Sequence, residues 1–231
     1  MSGGIEETRA LLARHHRDGR RFAELMKAHF AQRYDEAFWA EWARWMEPVL
    51  SDPPTVLDLG SGPGLFLRAL VERYPGARAI GVECAPYMLD AAGELPGGCE
   101  MAREDLHDPH LPLADGSVDA ALASVVLHEM NQPVRALQET ARCLRRGGRL
   151  MVLEWVRVPL RRYLEEEGHL PAAFDPATPA AELADIFVHF VEHNRYTVED
   201  LEYLLQRTGF AVLERVLLRG GRFVRLVAER R

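Results

Sequence analysis

The stretch Thr55-Val-Leu-Asp58-Leu-Gly60-Ser61-Gly62-Pro-Gly64-Leu65 decides how this chain is read. Thr55 to Leu59 make a short buried strand, Gly60 to Gly64 a tight turn, and LFLRALVERY from Leu65 a helix closed by Pro75-Gly76. Glycines here let the backbone turn sharply and approach a ligand closely. A plain strand-to-helix turn needs the same residues, so the loop alone leaves both readings open. Its spacing is informative. A dinucleotide fingerprint wants a third Gly or Ala where this chain has Leu65, and Gly64 falls one place early. Glu83 then stands about twenty residues on, where an acidic residue binds ribose hydroxyls. A solvated strand-end carboxylate is its plain alternative.

Working outward, ARAIGVE is a second strand and APYMLDAAGEL a helix with Pro86 in its first turn. CEMARED is a third strand. VDAALASVV is a fourth, apolar on both faces as a central parallel strand is. PVRALQETARCLRR is an amphipathic helix expected to run to Gly147-Gly148, and RLMVLEW is a fifth strand. This alternation predicts a parallel sheet of βαβ units. Residues 156 to 180, rich in proline and charge, read as an insertion or lid, followed by the helical AELADIFVHFVEHN. TVEDLEYLLQRTGF is a helix capped by Thr197, and FAVLERVLL and RFVRLVAE form a terminal hairpin across Arg219-Gly220-Gly221. Ahead of the sheet, Phe22, Met26 and Phe30, then Phe38, Trp42 and Trp45, recur at helical spacing until Ser51-Asp-Pro-Pro54 breaks the pattern. The expected division is a helical cap over 1–52 and a core over 53–231 with the lid at about 156–195.

The 231 residues, 48% hydrophobic, suffice for one large α/β domain. A net charge of −7 gives no sign of the basic excess a phosphate-backbone binder needs, so no nucleic-acid partner is expected. The three cysteines are widely spaced and form no CxxC, which argues against a disulfide framework or cysteine zinc site and fits a reducing cytoplasm. No stretch is long and apolar enough for a membrane span, and the charged N-terminus is not a secretory signal.

With these segments in order, the chain resembles the class I S-adenosylmethionine-dependent methyltransferases, in the small-molecule branch that includes quinone methyltransferases. The resemblance rests on VLDLGSGPG at 56–64, GVECAPYML at 81–89, REDLHDPHLPLADGSVDAAL at 103–122, ASVVLHEM at 123–130 and LRRGGRLMVLEW at 144–155. It covers Thr55 to Trp155 densely and the C-terminal part loosely. It implies a Rossmann-like sheet of seven strands, parallel except for one C-terminal strand, with an N-terminal helical cap and an inserted lid. It implies S-adenosyl-L-methionine as co-substrate. The loop residues Gly60, Ser61, Gly62 and Gly64 would surround it, with Asp58 and the backbone near Gly60 meeting its ammonium end. Glu83 would accept the ribose hydroxyls, and Asp105 and the Leu106 N–H would meet the adenine between Cys84 and Met88. Ser124 would line the methionine part, and Tyr34 would reach it from the cap.

For the acceptor, His128 and Glu129 lie just past the fourth strand, where ligands of open α/β sheets bind. His128, His189, His193 and Tyr196 are the groups able to hydrogen-bond or deprotonate an acceptor near neutral pH; packing is the alternative for each. His189-Phe-Val-Glu192-His193 also matches the inverted zinc-protease string, but no further ligand is identifiable, so no metal is expected. The fourth strand lacks the Asp/Asn-Pro-Pro-Tyr/Phe that, by the resemblance, marks adenine and glutamine methyltransferases. The expected activity is in-line methyl transfer to a small-molecule acceptor, giving S-adenosylhomocysteine. A non-catalytic donor-binding module stays open, as does a dinucleotide-dependent oxidoreductase, which Leu65 disfavours. A homodimer is an open partner option.

Overall fold

The computed structural model describes residues 4–231, and of His193 the backbone alone. Four helices lead: α1 (Gly4–His16), α2 (Gly19–Ala28), α3 (Phe30–Arg33) and α4 (Glu36–Trp45). The sheet strands are β1 (Thr55–Leu59), β2 (Arg78–Val82), β3 (Cys99–Ala102), β4 (Val118–Ser124), β5 (Leu144–Trp155), β6 (Phe210–Leu218) and β7 (Phe223–Arg230). Helices α5 (Leu65–Arg73), α6 (Pro86–Ala92) and α7 (Val134–Cys143) link the first five strands, and α8 (Leu160–Glu166), α9 (Leu170–Phe174), α10 (Ala180–His193) and α11 (Val198–Arg207) lie between β5 and β6. The seven strands are ordered β3-β2-β1-β4-β5-β7-β6. β7 runs antiparallel to both β5 and β6, and the other neighbouring pairs are parallel. The fold is therefore the α/β Rossmann-like sheet expected, with its single reversed strand near the C-terminus.

Alternation along β1 divides the core. Leu57 and Leu59 pack with α7 and α11 through Leu137, Leu201 and Leu205. Val56 joins Trp42, Phe66, Leu67 and Leu70 of α4 and α5 on the other face. The strand order turns back between β1 and β4, and at this switch point a crevice opens beyond the carboxyl ends of the strands. Helices α1 and α2 cover it, Leu12 and Ala23 packing on Cys84, Ala85 and Met88. The 156–193 segment keeps a small core of its own around Val158, Tyr163, Leu164 and Ile186.

Two boundaries differ from expectation. The seventh helix stops at Cys143, and Leu144 already begins β5 opposite Val118. A long-range anchor overrides the local helical preference: Arg145 bonds Asp119 at 3.0 Å. The fourth strand ends at Ser124 because Val125 turns left-handed, with φ of 57°. The capping box of α11 forms as its sequence requires, Thr197 and Asp200 bonding each other's backbone N–H.

Candidate functional site

The crevice is a cavity of about 530 Å³. Of the expected donor contacts, Tyr34, Gly60, Ser61, Gly62, Glu83, Cys84, Met88, Asp105, Leu106 and Ser124 line it; Asp58 and Gly64 are not on its wall. The glycine loop is locked by what surrounds it. Gly60 has φ of 63°, and a Cβ there would stand 2.3 Å from Val126 Cγ2, so the loop is seated against the segment after β4. Glu83 ties the loop to the end of β2. Its Oε2 accepts from Gly62 N–H at 3.0 Å, and its Oε1 from Cys84 and Ala85 N–H at 2.8 and 2.7 Å. A carboxylate oxygen takes two bonds, so Oε2 retains acceptor capacity.

Two buried carboxylates meet here. Burial, with Glu83 nearby, raises the Asp58 pKa well above its ordinary value, against the pull of Arg33. Burial raises Glu83 too, although its three N–H bonds oppose the shift. The Tyr34 phenol is likewise pushed up by burial and by Asp58, so it stays neutral. Burial, Glu83 and Asp105 push the Cys84 thiol up to about 12, which makes it a wall residue and not a nucleophile. The buried Ser124 hydroxyl makes no hydrogen bond of ordinary geometry with the described residues. Asp105 lies under α1: Thr8 donates to its Oδ2 at 2.9 Å and His107 N–H to its Oδ1 at 2.9 Å. Burial alone would raise this carboxyl, but the His107 ring at 3.1 Å together with these bonds outweighs it and lowers the pKa.

Residues 57–152 match the family model described as a methyltransferase domain. The chain is 35% identical over 135 residues to trans-aconitate 2-methyltransferase of Azoarcus sp., covering 58% of this chain and 50% of that protein. It is 36% identical over 109 residues to demethylmenaquinone methyltransferase of Thermus thermophilus, covering 46% and 50%. It thus spans about half the length of these curated relatives. Residues 57–152 therefore form a methyltransferase domain similar to those of S-adenosylmethionine-dependent methyltransferases. A chain from the complex of the Haloferax volcanii Trm112 methyltransferase activator with a methyltransferase shares the fold. Its TM-score is 0.67 at 19% identity, covering 92% of this chain and 97% of that one.

On the far side of the cavity, the turn after β4 is held from beneath by a residue the sequence reading missed. Glu154 of β5 is wholly buried. Its Oε2 accepts from Val126, Leu127 and His128 N–H at 3.0, 2.6 and 3.3 Å, and its Oε1 from Trp155 N–H at 2.8 Å. Those bonds offset the left-handed strain at the β-branched Val125. His128 lines the cavity, but its Nδ1 faces Glu154 at 2.8 Å and its Nε2 faces Glu129 at 3.4 Å. Burial lowers its pKa, yet the two carboxylates overcome that and bring it to about 10. Both ring nitrogens of His128 thus face carboxylates, an arrangement that favours its protonated form.

Two other expected acceptor groups are turned away from the cavity. The Tyr196 hydroxyl donates to the Met130 carbonyl at 2.6 Å, and the ring packs on the core. Arg195 beside it donates from Nε to the His128 carbonyl at 2.8 Å. This stretch therefore braces the turn from behind. His189 Nδ1 lies 3.2 Å from Glu192, off the cavity wall. The His193 side chain lies outside the described residues. Among the missed cavity residues, the cap supplies His15 and His16 of α1, Phe22 and Met26 of α2, then Phe30 and Arg33, and β5 and the terminal hairpin supply Trp155 and Phe223. The sequence signal of the cap residues was an amphipathic helix pair ending in adjacent histidines, which is equally the signature of ordinary packing.

Proposed function

We propose that this protein transfers a methyl group from S-adenosyl-L-methionine to a small-molecule acceptor by in-line displacement and releases S-adenosylhomocysteine. The observation that supports this best is the buried pair Asp58 and Glu83 beside the glycine loop, both raised in pKa and both short of cationic partners. Such a pair favours a ligand of net positive charge, and a sulfonium with an ammonium and one carboxylate is one. It disfavours a pyrophosphate in the loop, which separates this reading from a dinucleotide oxidoreductase. When bound, the donor supplies an activated methyl cation equivalent.

The chain's own residues then bind, orient and exclude water. Asp58 and the backbone near Gly60 meet the ammonium end, and Oε2 of Glu83 accepts from the ribose. Asp105 and the Leu106 N–H face the adenine between Cys84 and Met88, and Ser124 and Tyr34 line the methionine part. Helices α1 and α2, within the 1–52 cap, close the cavity over the acceptor with aromatic and thioether side chains. The 156–195 segment supports that wall from outside. Positioning carries most of the work, because an activated methyl needs little more than an aligned nucleophile.

Calorimetry and thermal shift test the reading. S-adenosylhomocysteine is expected to bind more tightly than NAD and to raise Tm by mass action. A metabolite screen with mass-spectrometric detection of an added methyl then identifies the acceptor. Failure of S-adenosylmethionine and S-adenosylhomocysteine to bind the folded protein refutes the proposal.

A further inference from the structure

The last two residues of α1, His15 and His16, meet Glu129 of the turn after β4, across more than a hundred positions of chain. His15 Nδ1 lies 2.7 Å from Glu129 Oε2, and His16 Nε2 lies 3.2 Å from Glu129 Oε1. One ligand atom from each of the three residues can be chosen so that all lie within 4.8 Å of one another. The three side chains are mostly buried, and all line the cavity that holds Glu83 and Ser124.

Each ring is also oriented from its far side. His16 Nδ1 is hydrogen-bonded to the Tyr87 hydroxyl, and the ring stacks on Phe22 at 3.9 Å between centroids. His15 Nε2 faces the Glu192 carboxylate at 3.8 Å. Glu129 is set by the turn that Glu154 anchors. Ligands steered by outer hydrogen bonds from a hydroxyl, a carboxylate and a fixed turn are how proteins build metal sites. Just past α1, Arg17 takes a left-handed φ of 54° and pairs with Asp185.

We propose that His15, His16 and Glu129 form a binding site for a divalent transition metal of the zinc class, with its open coordination positions facing the cavity. Two imidazoles and one carboxylate suit zinc, cobalt or iron and leave room for a further ligand. Its role, which rests on the methyl-transfer reading, is to bind an acceptor through an ionisable O–H or S–H group. The acceptor's proton leaves to solvent on coordination. The new X–CH3 bond then forms as the donor's S–CH3 bond breaks, and sulfur departs as a neutral thioether. Such a metal supplies nucleophile activation at the cavity wall.

The test titrates the full chain, stripped with chelator, with cobalt(II) and then zinc(II). Cobalt d–d absorption and calorimetry are the readouts. One equivalent per chain is expected, with the cobalt spectrum of a four- or five-coordinate site bearing nitrogen ligands. His16→Ala and Glu129→Gln are each expected to weaken binding by on the order of a hundredfold or more. Tyr87→Phe, which only removes the outer hydroxyl, is expected to weaken it by roughly tenfold. His189→Ala is expected to leave binding unchanged, and Tm confirms that each variant is folded. No cobalt band and no zinc heat with folded wild-type protein, or undiminished affinity in both His16→Ala and Glu129→Gln, overturns the site. S-adenosylhomocysteine binding is measured on the same samples. Metal binding without it overturns the acceptor role and leaves the site standing.

Discussion

Asp58→Asn separates the stability of the empty fold from its affinity for donor. The Asp58 carboxylate is buried, accepts no hydrogen bond among the described residues, and has Glu83 as a like-charged neighbour against the single cation Arg33. Ionising it in the empty cavity costs stability, and the isosteric amide removes that cost. A buried polar or charged group without full compensation costs about 1–3 kcal/mol. In a chain of this size each kcal/mol moves Tm by roughly 2–4 °C, so the empty variant is expected to melt about 2–12 °C higher. The pH dependence carries a sign. Folding raises this pKa above its unfolded value near 3.8. Its contribution is therefore fully present below about pH 4 and is lost as pH rises through the folded value. The gap between variant and wild type is expected to be small at pH 4 and to widen with pH. Donor binding moves the other way. Losing a charge-assisted contact worth about 1.5–3 kcal/mol weakens S-adenosylhomocysteine by roughly one to two decades. Differential scanning calorimetry across pH and isothermal titration at neutral pH measure the two quantities. A variant that melts below wild type at neutral pH, or one that binds S-adenosylhomocysteine equally well, refutes the reasoning.

Other substitutions probe the remaining parts of the site. Glu83→Gln is expected to weaken S-adenosylhomocysteine by one to two decades, about 1.5–3 kcal/mol, read by calorimetry; unchanged affinity would misplace the ribose contact. Glu154→Gln breaks a buried carboxylate that gathers four backbone N–H groups and His128. It is expected to cost about 3–5 kcal/mol in chemical denaturation, and a loss under about 1 kcal/mol would show that the turn after β4 does not depend on it. Tyr196→Phe removes a bond to the Met130 carbonyl, so single-turnover methyl transfer is expected to fall by less than about tenfold. Loss of a general base would instead cost about two to four decades.

Much of this protein was legible in one dimension because the signals involved are local. The run from Thr55 to Leu65 specifies strand, left-handed turn and helix through residues that touch one another along the chain. Thr197 and Asp200 cap a helix from three residues apart. The nearly continuous apolar run of β4 and the glycines of the loop then imply a parallel sheet and a crevice at its carboxyl edge. Boundaries failed where a distant partner outweighed local preference. Leu144 and the arginines directly after it belong to β5, where Asp119 holds Arg145.

The acceptor side was decided in three dimensions only. A histidine's protonation depends on what faces its two nitrogens, and His128 meets Glu154 from another strand and Glu129 from its own turn. Tyr196 and His189 looked like cap groups, yet the path of the chain from α10 into α11 turns one toward Met130 and the other toward Glu192. His15 and His16 read as the polar end of an ordinary helix. What brings them to Glu129 is the packing of α1 and α2 on α6, which buries Leu12 and Ala23 against Met88. Periodicity records which face of a helix is apolar, but not which surface that face will cover. The same residues therefore look structural in sequence and stand together in the fold.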